Sequence, residues 1–550
     1  MAKSNGQRAL VLQGGGSLGA YEAGVFEVLY YWIKKDIDDD ENIFDIVAGT
    51  SIGAINAAFL VSYVIKKRRE EIKDVGESWK GSAEELKEFW KSRLASNINL
   101  NKWWPFSWDE KSWTLAWDIL SRINSFVATG EAARRYYSAK EFIISGASNV
   151  FLPNLPPKTD SKFFDNFIVP NIWYRYDNSR LRGTVNESIR FPIGTSHPEP
   201  RLLAISVDVE EGETVTFDSY ARKSEYGDYK PGTDRKNGTY ERTIKYDKGI
   251  MVEHILASAS VPEHYDYTLV PKEYDYTKTE EEKLEDIENY DLENYSRFWD
   301  GGVLSNTPLR ELIQSHKDYW KSVKNKPDSK NTIPKLEVYI IDIWPSVDGY
   351  PVPSDLDGIR DRKNDLTYQD VTPYDEKVAN MISDYYNLSS ALKDLAERKG
   401  VPKAEIDTIL NMPSKSSHRT GELRTYGDLV DVDERFEITK ITRIERSADR
   451  DDIANKWCDF SLGTISKLFE QGTLDALKTL AKEVMRSKSI QLREEKVKEE
   501  IMISESIQDA RTQLDLFIGY AKKQGANGDL IQSAESVKAM LPVLMRSFKL

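Results

Sequence analysis

The residues Gly49-Thr50-Ser51-Ile52-Gly53 read G-x-S-x-G, a spacing that suits a serine nucleophile. The apolar run Phe44-Asp45-Ile46-Val47-Ala48 precedes them and an apolar helical pattern follows, which sets Ser51 at a strand-to-helix turn. Such a turn has no room for side chains at its flanks, hence Gly49 and Gly53, and it leaves the Ser51 hydroxyl exposed above the sheet. Upstream, VLQGGGSLGAYEAG (Val11 to Gly24) sets Gly14, Gly15 and Gly16 after a short apolar run, and a helical pattern of Ala20, Val25, Leu29 and Ile33 follows Gly19. Alone, Gly14, Gly16 and Gly19 satisfy the G-x-G-x-x-G of a dinucleotide site. A nicotinamide site also needs an acid after the second strand to hold the ribose, and G-x-S-x-G stands there instead. A right-handed crossover makes the two strands parallel, so both loops lie along one sheet edge and the glycines face Ser51. The N–H groups of Gly14, Gly15 and Gly16 then point to where an acyl oxygen gains charge, and the loop reads as an oxyanion hole.

A serine nucleophile needs a base, and histidine is the usual one. The chain has five: His197, His254, His264, His316 and His418. His254 lies in VEHILASASVP, a helical apolar frame where a packing role fits, and the others have no distinguishing context. A different candidate is Asp300 in Arg297-Phe298-Trp299-Asp300-Gly301-Gly302. Gly301 and Gly302 permit a sharp turn, and aromatic neighbours would desolvate the carboxylate, raising its pKa from about 3.9 toward that of a useful base. An isolated D-G-G is also an ordinary turn, so these residues alone leave both readings open.

Five strand-like runs, Ala9–Leu12, Phe44–Ala48, Leu202–Val207, Leu336–Ile343 and Phe436–Ile444, alternate with helical patterns. They predict an α/β fold, a three-layer α/β/α sandwich on a mostly parallel sheet, with an inserted cap and C-terminal helices. Residues 1–75 form the first part of the core, 76–195 a Trp-rich helical cap, and 196–350 the second part of the core with an acidic insertion at 277–296. An extension of the core, 351–460, and a helical region, 461–550, complete the chain. Within the last, Ser487–Tyr520 reads as one long amphipathic helix suited to packing or self-association.

The net charge of -14 argues against nucleic acid and against anionic membrane surfaces, both of which need clustered Lys and Arg. One cysteine, Cys458, allows no internal disulfide and no paired-thiolate metal site. No signal-peptide pattern opens the chain, and the longest apolar segment, Ala54–Ile65, is too short to cross a bilayer. The expectation is a cytoplasmic protein.

GGGSLG, GTSIG and DGG in this order resemble the patatin-like phospholipases, lipid acyl hydrolases with a Ser-Asp dyad and no histidine. The stretches LLAISVDVEEGETVTFDS, EHILASASVPEHY, WDGGVLSNTPL and DFSLGTISKLFEQG are similar to a microbial branch of that family. The resemblance implies Ser51 as nucleophile, Asp300 as base and the backbone of Gly14, Gly15 and Gly16 as oxyanion hole, with Gly19, Gly49, Gly53, Gly301 and Gly302 supporting the motifs. It implies no metal and no cofactor. Ser17-Leu18 stands where plant-type members carry a basic residue.

Three other readings compete with this one. An α/β-hydrolase with a Ser-Asp-His triad would place several strands before its elbow, whereas one clear strand precedes Ser51. A nicotinamide-dependent oxidoreductase lacks its acid, and a non-enzymatic scaffold would not need Ser51 and Asp300. The expected substrates are phospholipids or lysophospholipids, then neutral or polymeric esters, with homo-oligomers through the C-terminal helices. Seven of the 13 tryptophans (Trp79, Trp90, Trp103, Trp104, Trp108, Trp113 and Trp117) fall in the cap. Trp113 and Trp117 sit at helical spacing with Ala116, Leu120 and Ile123 and read as packing. Trp103-Trp104-Pro105-Phe106 reads as a rim that touches neutral or zwitterionic lipid.

Overall fold

Apolar residues alternating along short strands must be covered on two faces, and that requirement organises the chain. The structure is a computed structural model and describes residues 6–70, 74–96, 130–153, 176–220, 246–274, 294–324, 333–345, 352–353, 355–417, 423–427, 437–449, 451–494, 502–523, 525 and 527–547. The strands of the main sheet are β1 (Gly6–Leu12), β2 (Ile46–Thr50), β3 (Arg201–Asp208), β4 (Glu213–Asp218), β5 (Thr268–Pro271), β6 (Tyr295–Asp300), β7 (Lys335–Asp342) and β8 (Ile438–Glu445). Their order is β8-β7-β1-β2-β3-β6-β5, with β4 also paired to β3. The five strands expected from the apolar runs are the five parallel ones, from β8 across to β3. Strands β4, β5 and β6 add an antiparallel part beside them.

Ala9, Val11, Ile46, Ala48, Leu203, Ile205, Val338 and Ile340 turn to one face of this sheet and pack with Leu309, Leu312 and Trp320. Leu10, Leu12, Val47, Leu202, Ala204, Tyr339 and Ile341 turn to the other, larger core. The period-two alternation thus yields the three-layer α/β/α sandwich. The helices, in chain order, are α1 (Gly19–Lys34), α2 (Ile52–Glu70), α3 (Ser82–Phe89), α4 (Gly130–Ser145), α5 (Ser179–Ser188), α6 (Val252–Ser258) and α7 (Leu309–Lys324). They continue with α8 (Leu356–Tyr368), α9 (Pro373–Arg398), α10 (Lys403–Leu410), α11 (Leu462–Glu494), α12 (Met502–Lys523) and α13 (Gly528–Ser547).

The C-terminal region differs from the single helix expected over Ser487–Tyr520. Helix α11 ends at Glu494, α12 starts at Met502, and Leu514 and Phe517 of α12 pack against Leu477, Leu480 and Ala481 of α11. These five residues are buried, and Trp32 of α1 packs beside them. Helix α11 crosses α1 where Gly24 faces the Phe469 backbone and Gly472 faces the Tyr21 backbone, so the two main chains touch.

Of the cap tryptophans, Trp79 and Trp90 are fully buried, and their indole N–H groups donate to Asn42 (3.3 Å) and Asn56 (2.9 Å). Trp103, Trp104, Trp108, Trp113 and Trp117 lie outside the described residues, as do His418 and most of the acidic stretch 277–296. Its last two residues, Tyr295 and Ser296, are buried in β6 and belong to the core. Residues 351–460 include β8, an edge strand of the main sheet. No helix among the described residues is long and apolar enough to cross a membrane.

Candidate active site

Strand register brings Ser51 and Asp300 together. Thr50, the last residue of β2, is paired with Ile205 of β3, and Asp300, the last of β6, is paired with the next residue, Ser206. Strand β4 runs along the opposite side of β3 over Leu203–Asp208, so β2 and β6 share one lane and meet head to head. Ser51 and Asp300 occupy that meeting point although 249 positions of chain separate their numbers.

The elbow itself is strained. Ser51 has φ 55, a left-handed value that is uncommon for a non-glycine residue. A Cβ on Gly53 would lie 2.5 Å from the Leu12 carbonyl oxygen at the end of β1, and one on Gly49 would strike the Gly53 carbonyl. The Ser51 N–H donates to Ser258 Oγ (2.9 Å), whose hydroxyl donates to the Ile205 carbonyl (2.5 Å). Helix α2 starts at Ile52, so its positive end lies under the nucleophile.

Asp300 is 4% exposed. Its N–H donates to the Ser260 carbonyl (2.9 Å), and its Oδ1 accepts from Gly302 N–H (2.7 Å). Burial raises its pKa to about 7, against a lowering by the Ser51 hydroxyl and the Gly302 N–H. Oδ2 makes no hydrogen bond of ordinary geometry to a described residue, so the contact with the Ser51 hydroxyl is a loose one. No cation contributes to the shift. A desolvated carboxylate beside a hydroxyl is the arrangement a base requires.

The glycine loop faces the same point: a Cβ on Gly14 would lie 3.0 Å from Ser51 Cβ. The Gly14 N–H is directed to the Asn306 carbonyl (3.3 Å). Gly15 and Gly16 precede and open the short 3-10 turn Gly16–Leu18, and Gly16 has φ +58 with its α-carbon against the Trp457 carbonyl. Their N–H groups make no hydrogen bond to another described residue.

A second group of residues clamps the loop. Gln13, fully buried, accepts from the Ile343 and Trp344 N–H groups (2.7 and 3.2 Å) and donates to Thr307 Oγ1 (3.0 Å) and the Tyr368 carbonyl (3.1 Å). Trp344 Nε1 donates to the Gly14 carbonyl (2.7 Å). Asn306 Nδ2 donates to the Tyr368 carbonyl (2.8 Å), and Ser17 Oγ to the Lys456 carbonyl (2.9 Å). Gln13, Ser258 and Asn306 stand inside the motif stretches quoted above. Tyr368 and Lys456 act through backbone oxygens, which no side-chain pattern reveals.

The described histidines are used elsewhere. His254 Nδ1 accepts from the Met251 N–H (2.8 Å), and burial lowers its pKa to about 3. His316 Nε2 faces the Pro334 carbonyl (3.0 Å), and burial lowers its pKa to about 4. His197 packs edge-on to Trp320, and His264 on Tyr176 and Trp457.

Behind the loop, Lys456 Nζ meets Asp365 (2.6 Å), Asp361 (3.1 Å) and Asp452 (3.2 Å). Asp452 also pairs with Arg446 (2.7 Å) and Arg135 (3.1 Å), and the side chains of all of these residues are buried. Burial would raise the Asp452 pKa, but Arg446, Lys456 and Arg135 hold it well below the usual carboxylate range.

A family model described as Patatin-like phospholipase matches residues 10–313, more than half of the chain. Among solved structures the chain is similar to "Crystal structure of VipD from Legionella pneumophila", at 12% identity over 98% of this chain and 80% of that one, with a TM-score of 0.22. No curated protein sequence matches it.

Proposed function

The chain belongs to the patatin-like phospholipase family, and from that premise we propose that it is a lipid acyl hydrolase in which Ser51 is the nucleophile and Asp300 the base. The observation that carries this reading is the head-to-head meeting of β2 and β6, which ends one strand at an elbow serine and the other at a desolvated carboxylate. In acylation, Asp300 takes the Ser51 hydroxyl proton as Oγ attacks the ester carbonyl carbon. The carbonyl oxygen gains charge and is held by the Gly15 and Gly16 N–H groups, with Gly14 bracing the loop through Asn306 and Trp344. The carbon–oxygen bond to the leaving alcohol breaks, that oxygen takes the proton back from Asp300, and the acyl group stays on Ser51. Water then repeats the sequence, losing a proton to Asp300 and releasing the carboxylic acid while Ser51 regains its proton. Every proton moves through one carboxylate, and this route needs neither histidine nor metal.

The substrates proposed are phospholipids or lysophospholipids, followed by neutral esters, met at neutral or zwitterionic surfaces by a cytoplasmic protein. A fluorophosphonate probe, which phosphonylates activated serines, should label the chain at Ser51 by peptide mapping, and Ser51→Ala should lose both the label and ester hydrolysis. Labelling at another serine with hydrolysis retained would overturn the assignment. A panel of esters of graded acyl length and headgroup then separates phospholipid from neutral-lipid preference.

A further inference from the structure

Helix α9, Pro373–Arg398, carries an apolar seam that the fold does not use. Tyr374 is 72% exposed, Met381 62%, Tyr385 47%, Leu388 60%, Leu392 57% and Leu395 44%. With half-buried Val378 these positions step by four and three residues without interruption, the a/d spacing of a left-handed coiled coil. The opposite face is the one that meets the body: Ser383 is the helix's buried residue, Ala379 packs on the core, and Glu376 pairs with Arg443. The seam therefore points outward along a helix about 39 Å long at 1.5 Å per residue. Six side chains of ~200 Å² each, roughly half exposed, present on the order of 600 Å², approaching the ~800 Å² that each partner gives to a stable interface. An apolar patch of this size on a soluble chain marks an interaction surface.

We propose that the occupant of this seam is a second copy of the chain, with the two α9 helices packed antiparallel about a twofold axis between Tyr385 and Leu388. The seam matches itself under that operation. Tyr385 faces Leu388 of the partner subunit, Met381 faces the partner's Leu392, and Val378 faces the partner's Leu395, so every layer sets an a position against a d position. The end layer sets Tyr374 against the partner's Lys399, whose ammonium also comes within one helical turn of Asp375. Helix dipoles oppose favourably in the same arrangement. A lipid surface is the poorer fit, because the helix carries Asp375, Glu376, Asp384, Asp394 and Glu397 against Lys377, Lys393 and Arg398, where surface-bound helices are rich in Lys and Arg. The inference stands independently of the catalytic assignment.

The experiment is sedimentation equilibrium of the full chain at 1–50 μM (an order-of-magnitude range for homodimers), beside L388E/L392E. The expected result is twice the chain mass for the wild type and the single mass for the variant, with unchanged circular dichroism and unchanged hydrolysis of a short soluble ester. A wild type that is monomeric throughout, or a variant that stays dimeric, overturns the proposal. If the monomeric wild type binds phosphatidylcholine vesicles and the variant does not, the seam is a lipid face and the proposal fails. Orientation is read by oxidation, since native Cys458 is buried and does not compete. A mixture of V378C and L395C should cross-link, and L395C alone should not; the reverse pattern would overturn the antiparallel arrangement.

Discussion

Asp300 and Asp452 are both buried carboxylates, lying in front of and behind the same glycine loop, and their surroundings push them in opposite directions. Around Asp300 there are a serine, a glycine N–H and tyrosine rings but no cation among the described residues, so burial prevails and its pKa rises to about 7. Around Asp452 stand Arg446, Lys456 and Arg135, and their charges override burial and lower it. One carboxylate is kept short of partners and can accept a proton near neutral pH. The other is saturated and can only hold structure. Burial alone therefore says nothing about role; the presence or absence of a cation decides it.

The sharpest way to break this contrast is to neutralise each side. Asp300→Asn should abolish ester hydrolysis by about 10³-fold or more, as should Ser51→Ala, with the folded circular dichroism spectrum retained. Near-wild-type turnover in either variant would end the dyad. Lys456→Met should instead destabilise the fold by about 3–5 kcal/mol, because Asp361, Asp365 and Asp452 are left buried with one cation fewer. Its turnover per folded molecule should fall less than about tenfold, since Ser17 bonds the Lys456 backbone carbonyl, which methionine keeps. Thermal melts and active-site titration measure the two effects separately; a dead but fully stable variant would give the cluster a chemical role.

A third comparison uses pH. The Asp300 carboxyl titrates near 3.9 in the unfolded chain and at about 7 in the folded one, so between these values the folded state binds the extra proton. Stability from this group falls as pH rises through that window and is lowest above 7. Asp300→Asn should then melt higher than wild type at pH 8, by on the order of 2 kcal/mol, with the difference closing toward pH 4. For wild type, log(kcat/KM) for a soluble ester should rise by about one per pH unit below 7 and level off above it. A profile flat from pH 5 to 8 would mean that Asp300 is not the base.

How much of this could be read from the chain follows the same physics. The inner parallel strands β1, β2, β3 and β7 are covered on both faces along most of their length and appear as near-continuous apolar runs, whereas the edge strand β8 sets Ile438, Ile441 and Ile444 among polar residues; all five were legible. Strands β4, β5 and β6 carry polar and aromatic residues in mixed order and lie beside segments such as 277–296, whose acidity masked the start of β6. Ser51 and Asp300 were legible because glycines mark both turns. Gln13, Asn306 and Trp344 were not, since a side chain that clamps a loop leaves no periodic trace. The reversal of the chain between α11 and α12 was not legible, because amphipathic periodicity runs through both helices and does not report where the chain folds back.

The smallest expected effect tests that clamp. Trp344 Nε1 donates to the Gly14 carbonyl at 2.7 Å, while its ring packs on Tyr368 with centroids 5.1 Å apart. Trp344→Phe keeps an aromatic ring there and removes the donor, leaving the Gly14 carbonyl with only the longer bond from Asn306 Nδ2 at 3.3 Å. One neutral hydrogen bond is worth about 1 kcal/mol, so the loop should lose some of its fixed geometry without unfolding. The oxyanion exists only after attack, and a looser loop should therefore lower kcat by roughly fivefold with KM unchanged. On the proposed mechanism, fluorophosphonate labelling of Ser51 draws on the same donors and should slow by a similar factor. A rise in KM at constant kcat would show that Trp344 shapes the substrate pocket instead, and unchanged kinetics would show that Gln13 and Asn306 hold the loop without it.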